Sequence, residues 1–105
     1  MNKEILIVSE IVSGTSTNAE GYPLFLAMDK IIENGNIVVL SLKNCNPLSS
    51  SFLNSSIGSL IEKHGYSEMK GRLVLTNYTH IMADYISRYI SRFKKLSCTL
   101  PREGN

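Results

Sequence analysis

Residues 36–65, "NIVVLSLKNCNPLSSSFLNSSIGSLIEKHG", identify the fold class because the hydrophobic period changes partway along them. Residues 36–42 are too short for an ordinary helix and dense in β-branched side chains, which predicts a central strand buried on both faces. A polar loop follows over residues 43–47. Beyond it Phe52, Leu53, Ile57, Leu60 and Ile61 recur at helical spacing. The helix they predict begins among Ser49, Ser50 and Ser51 and stops at Gly65. Six serines fall within residues 46–60, so hydroxyls are concentrated where a core is also required.

The rest of the chain repeats the alternation. Residues 5–12 are apolar and β-branched but interrupted at Ser9 and Glu10, which predicts a bent strand or short hairpin arm. From residue 19 to residue 34, Leu24, Phe25, Met28, Ile31 and Ile32 mark one buried helical face. Pro23 belongs near the start of that helix, and Asn34 with Gly35 ends it. Residues 71–77, "GRLVLTN", predict a third strand. Thr79 can cap a last helix whose Ile81, Met82, Tyr85, Ile86, Tyr89, Ile90 and Phe93 face inward. The prediction is one small α/β domain over residues 1–96, in βαβαβα order, with a mostly parallel sheet of three to five strands. Residues 97–105 read as a loose end or a short added strand.

Composition sets limits on function. At 105 residues and 43% hydrophobic content, one core is available and no staple is needed. Cys45 and Cys98 show neither zinc nor redox spacing, which fits reduced thiols in the cytosol. Only four consecutive apolar residues, Ile5 to Val8, occur near the N-terminus, too few for a signal or membrane segment. Residues 1–67 carry four Lys/Arg against six Asp/Glu, and residues 68–105 carry seven against three. Arg88, Arg92 and Lys95 fall on one helical stripe that could meet an acidic partner or nucleic acid. Without a groove-reading motif it reads as a solvated face, and nucleic acid is not the expected partner.

In a parallel sheet the strand-to-helix loops emerge at the carboxyl edge, and here they read "GTSTN", "KNCNPLSSS" and "NYTH". One of Ser49, Ser50 and Ser51 is enough to cap the second helix. Ser55, Ser56 and Ser59, with Gly58, are small enough to let that helix approach its neighbour closely.

Residues 36–65 resemble the STAS-like domains, relatives of the sulfate transporter and anti-sigma factor antagonist fold. In that group an apolar strand leads through a short loop to a serine-rich helix start, then a Phe and an aliphatic residue, as in Phe52 and Leu53. The similarity extends loosely over residues 3–96. It implies a cytoplasmic signalling module that binds a protein partner, a kinase-like ATPase or anti-sigma-type regulator, through the N-terminus of the second helix. The candidate contact residues are Ser49, Ser50, Ser51, Phe52, Asn54 and Ser55, beside the loop 14–18, with Phe52 placed by the helical phase either under the helix or at its exposed shoulder, and a homodimer could use the same surface. The resemblance also implies phosphorylation at Ser49 or Ser50. Leu48 replaces the acidic residue usual before the serine pair, no glycine follows it, and Ser41 replaces a frequent Asp. Binding is therefore expected ahead of phosphorylation.

The competing expectation is a small hydrolase or transferase with Ser49 to Ser51 as nucleophile, His80 as base and Asp84 as its orienting carboxylate. No "GxSxG" elbow supports it. "GTSTNAEG" lacks the lysine of a phosphate-binding loop, and His64 reads as a hydrogen-bonding residue at a helix C-terminus. No cofactor and no metal are expected.

Overall fold

A computed structural model describes residues 1–103 and, from residue 95 onward, the backbone alone. Three strands, β1 (Lys3–Ile7), β2 (Ile37–Ser41) and β3 (Leu73–Thr76), form a parallel sheet in the order β1-β2-β3. Ile5 pairs with Val39, which pairs with Val74; Leu6, Leu40 and Leu75 line up in the next row. The two rows point to opposite faces.

Helices cover one of those faces. Helix α2 (Asn18–Glu33) joins β1 to β2 and buries Leu24, Met28, Ile31 and Ile32. It starts with a capping box: the Thr17 hydroxyl accepts from the Glu20 N–H, and the Glu20 carboxylate accepts from the Thr17 N–H. Pro23 lies inside the helix rather than in its first turn. Between β2 and β3 come α3 (Ser50–Leu53), a π-helical turn (Asn54–Gly58), α4 (Ser59–His64) and the short α5 (Tyr66–Met69). Thr79 caps α6 (His80–Glu103) by accepting from the Met82 N–H. Val38 and Leu40 from β2, Leu24 and Met28 from α2, Phe52, Ile57 and Leu60, and Ile86 and Tyr89 from α6 form one core.

Several expectations change. Residues 8–11 form a one-turn helix, α1 (Val8–Ile11), instead of a strand extension, because Val8 turns into the core just where β1 loses its partner. Strand β2 is not buried throughout on both faces: Val38 and Leu40 are buried, whereas on the other face Ile37 and Val39 are half-buried and Ser41, at the carboxyl end, is buried. All helices that share the core lie on the Leu40 side. Ile5 and Val74, flanking Val39 on the other side, are 66% and 39% exposed. Helix α6 continues through residues 97–103, where sequence suggested a loose end or an added strand. Its Ile81 and Tyr85 do not face inward but are 82% and 43% exposed.

Candidate functional site

The carboxyl edge of the sheet is tied together by short side chains. The Thr15 hydroxyl donates to the Pro47 carbonyl (3.0 Å), and the Ser49 N–H donates to the Thr15 carbonyl (3.0 Å). The Ser49 hydroxyl accepts from the Phe52 N–H (3.1 Å), capping α3, and donates to the Ser16 carbonyl (2.7 Å). The loop after β1 is thus fastened to the loop after β2. On the other side, buried Ser41 accepts from the Asn77 amide (2.9 Å), joining the end of β2 to the loop after β3. Asn44 and Asn77 both adopt φ 55°, a left-handed turn geometry that asparagine tolerates well. The Glu20 carboxylate also accepts from the Ser16 N–H (3.0 Å). That bond, followed by its contacts with Thr17, lowers its pKa below the ordinary carboxylate range.

The remaining serines serve a disturbed stretch of helix. A π turn departs from the usual carbonyl-to-amide pairing. Here serine hydroxyls donate to carbonyls around it: Ser56 (2.7 Å) and Ser55 (3.2 Å) to Phe52, and Ser59 to Asn54 (2.9 Å). Ser55 also faces Gly21 of α2. A methyl group on Gly21 would stand 2.2 Å from the Ser55 hydroxyl and 2.5 Å from the Phe52 carbonyl oxygen. These small residues set the spacing of α2 against the π turn.

The residues expected to contact a partner therefore separate. Ser50, Ser51 and Asn54 are exposed, whereas Ser49 and Ser55 are half-buried. Phe52 is 0% exposed and belongs to the core, which corrects its expected place in a contact surface: with Ser49 as cap, the phase of the helix turns Phe52 beneath it. The Asn54 carbonyl oxygen of the side chain accepts from the Tyr89 hydroxyl (2.6 Å), fixing α6 to the π turn.

His80 is exposed at the start of α6. With Asp84 it lines a hollow walled by Tyr78, Ile81, Ala83 and Ser87, and none of Ser49, Ser50 or Ser51 shares it. Asp84 instead pairs with Arg88 (2.9 Å). The three members imagined for a hydrolase thus do not line one hollow among the described residues.

Two arrangements were not expected from sequence. Asp29 and Glu33 on α2 meet Lys63 and His64 at the end of α4: the Lys63 ammonium lies 2.8 Å from Asp29 and 3.4 Å from Glu33, and His64 Nε2 lies 2.7 Å from Asp29. The hydrogen bond from Lys63 holds Asp29 below the ordinary carboxylate pKa, with His64 adding to it against the opposing effect of burial. Asp29, Glu33 and His64 place ligand-type atoms within 4.8 Å of one another, but the lysine already supplies a positive charge there. The i, i+4 spacing of Asp29 and Glu33 was visible; their partners about 34 residues away were not. The second arrangement joins Ser50 to Tyr85, Arg88, Tyr89 and Arg92 around a hollow of about 240 Å³. Arg88 and Arg92 are the described part of the expected basic stripe; the side chain of Lys95 lies outside the described residues.

Cys45 is half-buried beside the same edge, and burial raises its thiol pKa. Among the described residues, no helix is long and apolar enough to cross a membrane.

Neither the curated proteins nor the solved structures contain a match to the chain. Residues 20–80, from the start of α2 to the start of α6, match a family described as a STAS-like domain of unknown function. With a parallel three-stranded sheet and more than half of its length matched, the chain belongs to this family of STAS-like domains.

Proposed function

We propose that this domain is a non-catalytic cytosolic interaction module that receives a protein partner on the carboxyl edge of its sheet, at Ser50, Ser51 and Asn54 and the adjoining loop 14–18. The observation that carries this reading is the bracing of the edge: three loops are fastened to one another by hydroxyl and amide contacts while Ser50 and Ser51 remain accessible. A preorganised polar surface loses less conformational entropy when a partner binds. A kinase-like ATPase or anti-sigma-type regulator is the class of partner that the wider fold suggests, and a second copy of the chain could use the same surface.

Phosphorylation, if it controls docking, falls on Ser50 rather than Ser49. The Ser49 hydroxyl both caps α3 and donates to Ser16, so modifying it would dismantle the edge. Ser50 carries no such double role and reaches the surface. A phosphate there adds roughly −1.5 to −2 charges at the face a partner would cover.

The test is quantitative capture of the partner from the native cytosol by wild type, Ser50→Ala and Ser50→Asp, with folding checked by circular dichroism. The expected result is retained capture by the alanine variant and loss by the aspartate variant. Equal capture by all three would remove this surface from the function.

A further inference from the structure

Ile81, Tyr85, Arg88 and Arg92 recur at i, i+4, i+7 and i+11 on α6 and occupy one helical stripe. The apolar end of this stripe is unusually bare, since Ile81 is far more exposed than an aliphatic residue in a core-facing period would be. Beside it lies a hollow of about 460 Å³, walled chiefly by Pro47, Leu48, Ile81, Met82, Tyr85 and Ile86. Further along the helix comes the smaller hollow containing Ser50, Arg88 and Arg92. Tyr85 lines both, so an apolar hollow and a basic one adjoin at the carboxyl edge. Arg92 stacks over the Tyr89 ring, 5.0 Å from its centroid, and makes no ion pair among the described residues; Arg88 has only the exposed Asp84 pair.

The geometry points to an acidic peptide segment of the partner as the occupant of this composite groove, with an apolar side chain in the first hollow and a carboxylate against Arg88 and Arg92. This rests on the reading of the edge as a protein-docking surface and names the partner's chemistry. Charge complementarity selects the sign: the basic hollow is lined by two guanidinium groups and by no carboxylate, Asp84 pairing with Arg88 from outside it. The apolar hollow favours a peptide over a nucleic acid, because a base placed there would leave its polar edges without partners. Spacing follows from the helix. Residues 82 and 86 precede residues 88 and 92 by an average of six positions, a displacement of about 9 Å along α6. That is about three residues of extended chain, so the motif is an apolar residue and an Asp or Glu three positions apart, in either order. Ser50 lines the basic hollow too, and a phosphate on it would occupy the place of the partner's carboxylate.

The experiment selects a random-peptide display library on the full chain, then measures the selected peptides by fluorescence anisotropy. Enrichment for an apolar residue with Asp or Glu two to four positions away, on one consistent side, is expected. Binding should weaken at least about tenfold in the Arg88→Glu/Arg92→Glu variant, fall with added salt, and return when the peptide's acidic residue is changed to lysine. Both arginines are exposed, so the variant should remain folded. Enrichment without acidic residues, equal binding by the charge-reversed variant, or tighter binding of a single-stranded oligonucleotide than of any selected peptide would overturn the inference. Partner capture that falls with Ser50→Asp but survives the arginine reversal would leave the edge as a docking surface and remove the acidic motif. Capture unaffected by either change would remove both.

Discussion

Gly21 shows how closely two helices can be set by a single missing side chain. Alanine would raise helix propensity by about 1 kcal/mol. Its methyl, however, would stand 2.5 Å from the Phe52 carbonyl oxygen, a backbone contact that no rotamer change relieves. Gly21→Ala is therefore expected to destabilise by about 1–3 kcal/mol, read from the urea midpoint, despite the better propensity. The adjacent serines divide in the same physical manner. Ser49→Ala should cost about 1 kcal/mol through loss of the cap, while Ser50→Ala, at a first-turn position without a cap role, should stay within about 0.5 kcal/mol. Equal effects of the two alanines would mean that the cap assignment is wrong. Sequence narrowed the cap to three serines but did not choose among them, because the choice depends on Ser16, which reaches Ser49 only once two distant loops meet.

Among the helices, α2 and α4 are joined near their C-terminal ends by Asp29 with Lys63 and His64. Asp29 has a folded-state pKa below its ordinary value of 3.8, so its contribution is fully present above that value. It is lost as pH falls through the lowered folded value, since the unfolded chain then binds the proton more readily. Glu20 acts in the same direction at the start of α2. Urea midpoints measured from neutral to strongly acidic pH should decline on the acid side, and Asp29→Asn should flatten part of that decline; an unchanged slope would exclude the bridge as a contributor. The π turn was not legible as such, although its serines were. Their hydroxyls fit an α-helix start, a close packing face or a disrupted carbonyl ladder equally well until the register against α2 is known. The same limit applies to α6, where a broad apolar period suggested burial for Ile81 and Tyr85 but the core receives Ile86 and Tyr89.

Across the domain, the one-sided sheet makes the energetic weight of the strands unequal. Leu40, on the central strand, is fully buried beneath the helical layer, and Leu40→Ala should cost about 2–5 kcal/mol. Val74 sits one register row away on the open face, and Val74→Thr should stay within about 0.5 kcal/mol. Comparable losses at both positions would show that another layer covers the open face in solution. The α/β alternation, the central strand and the helix after it could be read directly from residues 36–65, because β-branched density and helical spacing are local properties. Parallel order made the polar loops converge, and that too followed from the alternation. Packing in three dimensions was needed to choose the capping serine, to leave one side of β2 only half-buried at Ile37 and Val39, to put Phe52 in the core and to bring Ser50 into a hollow with Arg88 and Arg92. Each depends on the rotation of one packed element against another, and the hydrophobic period leaves that angle open wherever an apolar face is wider than its contact.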